Sequence, residues 1–166
     1  IFRNISVAGS ITSASFETKL TFATVNTPFS VAVGDLDGDG KRDLAVINYR
    51  GSKISIYKNL STPGAILLAS KVDFAIPDFA HDVSIADIDG DGKQDLTITT
   101  SLVGLTVLRN TGTPGVINAT TFATGIDFAT GPNPSPFVLG DIDGDGKLDA
   151  AVPNANAYSV SLLLNT

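Results

Sequence analysis

The chain contains no cysteine, a single histidine, a single glutamate and no long hydrophobic run. The lack of cysteine excludes disulfides, thiol chemistry and Cys-ligated zinc. A protein outside the cell without disulfides needs another staple, and a bound metal can supply one. No apolar stretch approaches the ~18 residues of a membrane span. The opening segment IFRNISVAGS lacks the basic-then-apolar profile of a signal peptide. A nucleic-acid partner would call for a basic stripe, and none is present. Helix formers are scarce, whereas Thr, Ser, Val, Ile, Gly and Asn are plentiful, which favours strands joined by tight turns.

Apolar residues make up 43% of the 166, enough for one domain with a hydrophobic core. The formal charge of −6 is unevenly placed: 12 of the 17 acids sit in three short segments, leaving only Glu17, Asp73, Asp78, Asp82 and Asp127 elsewhere. Those segments are one repeated string. Asp35-Leu-Asp-Gly-Asp-Gly-Lys-Arg-Asp43 returns 52 residues on as Asp87-Ile-Asp-Gly-Asp-Gly-Lys-Gln-Asp95, and after 54 more as Asp141-Ile-Asp-Gly-Asp-Gly-Lys-Leu-Asp149. Other landmarks keep step. Phe22, Phe74 and Phe128 each lie 13 residues before a loop, and Asn59, Asn110 and Asn165 lie 23 or 24 residues after its start. The string Ile1-Phe-Arg-Asn4 matches Ile56-Tyr-Lys-Asn59, Val107-Leu-Arg-Asn110 and Leu162-Leu-Leu-Asn165. The array thus opens and stops at equivalent points, which suggests a longer parent array or an assembly that supplies the missing neighbours.

Each unit reads as four strands. The first runs from Phe29 to Leu36 with Val31 and Val33 facing alike, and the second is Leu44–Asn48, apolar on both faces. The third spans Lys53–Asn59 with Ile54 and Ile56 around Ser55, and a fourth follows the Pro-Gly turn over about 67–76. Four strands in ~50 residues is the size of a propeller blade, and one such sheet buries both faces only by packing on its neighbours. The expected fold is therefore all-β: tandem four-stranded antiparallel blades of a β-propeller, partial or completed by oligomerisation. The expected division of 1–166 is the end of a preceding blade at 1–24, blades at 28–76 and 77–130, and an incomplete blade at 131–166.

Four Asp within nine residues repel one another unless something positive sits among them. A hard divalent cation with oxygen ligands answers this, and calcium accepts six to eight of them, whereas magnesium resists dehydration by a crowded carboxylate loop. Positions 1, 3, 5 and 9 offer carboxylates and position 7 its backbone carbonyl. The expected ligands are Asp35, Asp37, Asp39, Lys41 and Asp43; Asp87, Asp89, Asp91, Lys93 and Asp95; and Asp141, Asp143, Asp145, Lys147 and Asp149. The glycines permit the positive φ of a loop wrapped round an ion. This is not an EF-hand, because position 12 is Val46, Ile98 or Val152 rather than Glu. Asp-Gly is also ordinary turn chemistry, but a turn needs one such pair and not four spaced acids.

The three loops, the strands after them (DLAVIN, DLTITT, DAAVPN) and the segments IYKNLSTPG and VLRNTGTPG resemble the FG-GAP, or VCBS-type, repeats of integrin-α-like β-propellers, across essentially the whole chain. The resemblance implies that each loop joins the first two strands of a blade and binds calcium through its four Asp. It implies a secreted or cell-surface protein in an adhesive, glycan-binding or protein-binding role, or a non-catalytic companion of a secreted enzyme. The literal Phe-Gly and Gly-Ala-Pro strings do not occur.

The sequence offers little for catalysis. His81 reads as a solvated or hydrogen-bonded residue at a strand start, and Asp82 beside it points to the opposite face. No triad can be assembled, and acids outside the loops are too scattered for a glycosidase pair. Tyr49, Tyr57, Tyr158 and Arg50 are candidates for a sugar-binding groove, with plain packing as the equal alternative. Asn4-Ile-Ser6, Asn59-Leu-Ser61 and Asn118-Ala-Thr120 are glycosylation sequons, although an Asn ending a strand at a turn is the preferred reading. The expectation is a non-enzymatic, calcium-binding extracellular module. The alternatives are a structural subunit of a ring or filament, self-associating through open blade edges, and an accessory domain of a secreted enzyme.

Overall fold

Runs of β-branched residues, cut by Asp-Gly, Gly-Ser and Pro-Gly turns, fold into three sheets in the computed structural model, which describes residues 1–166. The first sheet holds β1 (Pro28–Gly34), β2 (Asp43–Asn48), β3 (Lys53–Tyr57) and β4 (Val72–Ala75). The second holds β5 (Ala80–Ala86), β6 (Asp95–Thr100), β7 (Gly104–Leu108) and β8 (Ile126–Phe128). The third holds β9 (Val138–Gly140), β10 (Asp149–Asn154) and β11 (Ser159–Leu163), with a single 3-10 turn at Ala155–Ala157. Each sheet is an antiparallel meander with strands paired in chain order, so the architecture is all-β and propeller-like. No helix is long and apolar enough to cross a membrane.

The fourth strand of each complete blade is shorter than the expected 67–76. Leu68 bridges Asn59, but from Val72 onward the partner register has moved by one residue, and Phe122, Asn110 and Ile126 repeat this in the second sheet. One inserted residue there makes a bulge that splits the strand. Before β1, residues 1–5 pair antiparallel with 15–20 through Ile5 N–H to Ser15 O, Glu17 N–H to Arg3 O and Leu20 N–H to Ile1 O.

Blades pack face on face. Ile47, Ile54 and Ile56 of the first sheet meet Val83, Leu96 and Ile98 of the second in one buried cluster. Full burial of each such side chain is worth roughly 1.5–3 kcal/mol. The approach is closest at Gly34, where an added Cβ would lie 2.5 Å from Ile85 Cγ2. Between the second and third sheets the cluster is smaller: Leu105, Phe137, Ala150 and Val152. The reason is visible at the rim. Phe122 stacks edge-on against Phe74 at 5.1 Å and fills the outer part of the first junction. At the second junction the matching Phe128 borders an open groove of about 280 Å³ lined by Leu105, Val107, Leu139 and Leu163.

The alternation that buries one set of side chains leaves the other set outside. Phe29, Val31 and Val33 of β1 are exposed, as are Val138 of β9 and Val160 and Leu162 of β11. These belong to the outer faces of the first and last sheets. The tight β6–β7 turn needs a residue without Cβ: Gly104 has φ +105°, and a Cβ there would meet the Phe128 carbonyl oxygen at 2.6 Å.

Candidate metal centres

Each acidic string forms the connection from the first strand of a sheet to the second, so all three lie at equivalent blade ends. Glycines at positions 4 and 6 take positive φ, 70° and 84° in the first loop and 86° and 91° in the third. That backbone turns amide groups inward onto the acids. Asp35 Oδ2 accepts from Gly40 N–H at 2.8 Å, as Asp87 does from Gly92 at 2.8 Å and Asp141 from Gly146 at 3.0 Å. Asp39, Asp91 and Asp145 each accept from the N–H of Lys41, Lys93 or Lys147 at 2.8–2.9 Å. One oxygen of each position 5 acid is thereby fixed by backbone, and its second oxygen is free of amide partners.

The position 9 acids play a different part. Asp43 is buried and accepts from Leu36 N–H at 2.9 Å and Asn59 N–H at 2.8 Å. Asp95 does the same with Ile88 and Asn110, and Asp149 with Ile142 and Asn165. Each ties the loop to the end of the third strand. Burial is the largest influence on Asp43 and Asp95 and raises their pKa against those hydrogen bonds. Asp149, in the last sheet, has the same bonds from Asn165 and Ile142 with less desolvation, and its pKa is lowered.

The structure gathers carboxylate oxygens within 4.8 Å of one another in every loop: Asp35, Asp37 and Asp39 in the first, Asp87, Asp89 and Asp95 in the second, and Asp141, Asp143 and Asp149 in the third. Asp43, Asp91 and Asp145 lie outside these closest sets. The donors are oxygen only, the set a hard cation takes and a thiophilic one does not.

Two groups of functional residues escape a reading of the loops alone. The first is basic. Lys58 bonds Asp37, lies 3.2 Å from Asp39 and donates to the Gly115 carbonyl of the next blade at 2.6 Å. Arg109 pairs with Asp89 and sits 3.2 Å from Asp91. Both immediately precede the repeated Asn, and that shared place was the available signal. The second is the Asn itself. Asn110 donates to the Leu36 carbonyl in the preceding loop at 2.8 Å, and Asn165 to the Ile88 carbonyl at 2.8 Å. This side chain pins one loop to the next.

The remaining sequence candidates are not brought together. Tyr49 stacks with Phe29, Phe79 and His81, the Tyr57 hydroxyl donates to the Ala23 carbonyl at 2.6 Å, and Tyr158 is 98% exposed at the β10–β11 turn. Arg50 is exposed in the β2–β3 turn. His81 Nε2 lies 2.5 Å from Ser101 Oγ, while the neighbouring Asp82 accepts from Ser30 at 2.8 Å. In the three sequons the Asn side-chain oxygen accepts the amide two residues on, at 2.8–2.9 Å.

The family model of the FG-GAP-like repeat matches residues 35–98 and again 91–152. No curated protein matches the chain. The two matches run from the first acidic loop through the third and into β10, so the loops, the strands behind them and the blade spacing all fall inside the pattern, and the chain belongs to the FG-GAP-like repeat family.

Proposed function

We propose that this chain is a non-enzymatic, calcium-stabilised propeller module of an extracellular or cell-surface protein, in an adhesive, glycan-binding or protein-binding role. The observation that carries the reading is the threefold recurrence of all-oxygen carboxylate clusters, each within 4.8 Å, at the same place in every blade. Calcium fits this set by hardness and by the number of oxygens on offer. Bound there, it would offset the charge of four acids per loop, against which the chain itself sets at most one or two basic side chains. Asp35, Asp37, Asp39 and Asp43 and their counterparts would hold it, with the carbonyls of Lys41, Lys93 and Lys147. The loop amides orient the acids beforehand, and Asp43, Asp95 and Asp149 fix each loop to its blade.

A non-catalytic role suits the acids outside the loops. Four of the five are engaged in local pairs: Glu17 with Arg3, Asp73 with Ser55 and Lys71, Asp82 with Ser30, and Asp127 with Thr106. Asp78 is the exception, with one buried oxygen unpartnered. A structural, self-associating role is the second reading. It is favoured by the apolar outer faces of the first and last sheets, which carry the positions by which the inner faces pack.

The test is thermal unfolding after chelation and again in millimolar calcium. A site held at a hundredfold its dissociation constant adds about 2.7 kcal/mol, equivalent to roughly 5–10 °C in a domain of this size. Asp143→Ala should remove one third of the bound ion by native mass spectrometry. A melting temperature indifferent to chelation, with no ion bound, refutes the reading.

A further inference from the structure

The three loops are alike in sequence but not in the cation that each is given by its own chain. The residue before the repeated Asn lies beside the loop, because the Asn backbone amide is bonded to the position 9 acid. In the first blade this residue is Lys58, on Asp37 and Asp39, and its partner Asp37 has a side chain with 0% exposure. In the second it is Arg109, on Asp89 and Asp91, in a more open setting with side chains 55%, 36% and 25% exposed. In the third it is Leu164, 53% exposed. The nearest cation there is Lys147 of the loop itself, 4.0 Å from Asp145.

We infer that Lys58 and Arg109 are tethered counter-ions that calcium must displace, so that the third loop fills first and the first loop last. The inference rests on reading the loops as calcium sites. Two charges competing for the same carboxylates cannot both keep full contact, and the better shielded the native pair, the more its loss costs. The Asp37–Lys58 pair is the best shielded of the three arrangements. Lys58 also holds the Gly115 carbonyl at 2.6 Å, so its displacement loosens a bond between two blades. The last loop to load is therefore the one whose loading is felt by its neighbour. Uptake becomes graded instead of uniform, although the loop strings differ only at positions 2 and 8.

The loop glycines report each site separately, since Gly40, Gly92 and Gly146 each donate to the first acid of one loop. A calcium titration of the 166-residue chain followed by amide resonances should show Gly146 saturating first and Gly40 last. Leu164→Lys, at an exposed position, should raise the Gly146 midpoint up to about fivefold, and Lys58→Leu, which removes a better shielded pair, should lower the Gly40 midpoint by a larger factor. Calorimetry of the wild type and Leu164→Lys gives the same comparison whatever the assembly state. Should Lys58→Leu not fold, Leu164→Lys still decides. Coincident midpoints, the reverse order or an unmoved Gly146 midpoint in Leu164→Lys overturns the tether. A wild-type chain that takes up no calcium in native mass spectrometry overturns the loop assignment as well.

Discussion

Replacing Asn110 by Ala isolates the bond that joins one blade to the next. Asn110 is buried and makes three side-chain hydrogen bonds: to the Leu36 carbonyl at 2.8 Å, to the Gln94 carbonyl at 2.9 Å and from Gly112 N–H at 2.9 Å. Gln94 and Gly112 are half-exposed, so water can replace what they lose. Leu36 is buried, and its carbonyl would be left without this donor, which costs about 1–3 kcal/mol. With about 0.5 kcal/mol for each of the other two bonds, Asn110→Ala should lose about 3 kcal/mol. Asn59 is the internal control. It occupies the same place in the first blade and bonds Arg42 O at 2.8 Å and Ser61 N–H at 2.9 Å, but has no bond to a preceding loop. Asn59→Ala should lose about 1 kcal/mol. The difference of about 2 kcal/mol is the interblade bond, equivalent to about 4–8 °C in melting temperature. Urea unfolding measures it directly as a change in midpoint at constant slope. Equal losses in the two variants would show that this side chain acts only within its own blade.

Three further outcomes follow from the packing and the charges. Thr99 has a buried hydroxyl with no partner, at the place Ile47 holds in the first blade, so Thr99→Val should raise stability by about 1 kcal/mol in the same urea assay. Gly34→Ala drives a Cβ to 2.5 Å from Ile85 and should cost about 1–3 kcal/mol. Gly140→Ala, with nothing within 4 Å, should be neutral in the isolated chain, and a matching loss there would instead reveal a packed neighbour. Burial of Asp73 pushes its pKa up, but hydrogen bonds from Lys71 and Ser55 and the charges of Lys71 and Lys53 outweigh this, and the net shift is downward. A carboxyl lowered on folding adds stability above its unfolded pKa and loses it as pH falls through the folded value. Asp73→Asn should therefore destabilise at pH 7 and converge on the wild type as the pH falls below the ordinary carboxylate range, and a pH-independent difference would contradict the pairing.

The strands and loops were legible because their determinants are local. The string DLAVIN reads as a doubly buried strand; in β2 one face is buried while Leu44 and Val46 on the other are half-buried, and it is the matching β6 of the middle sheet that is buried throughout. Position 9 reads as the start of that strand, where Asp43, Asp95 and Asp149 stand. The fourth strand is shorter than its sequence suggests, since the one-residue register slip between Leu68 and Val72 leaves no mark in composition. Tyr49, Tyr57 and Tyr158 looked alike in sequence, yet one joins an aromatic cluster, one is buried and one is solvated.

The sequence by itself determined the all-β class, the blade period and the composition of the acidic loops, because each is encoded within a span of nine to fifty-four residues whose pattern repeats. Only the tertiary structure decided which acids converge, that Asn110 reaches a carbonyl 74 residues away, and that Lys58 and Arg109 stand against the loops where Leu164 does not. Those contacts depend on how one sheet lies upon another. A face-to-face packing of sheets is fixed by shape and burial across the whole array, and no single stretch of chain contains it.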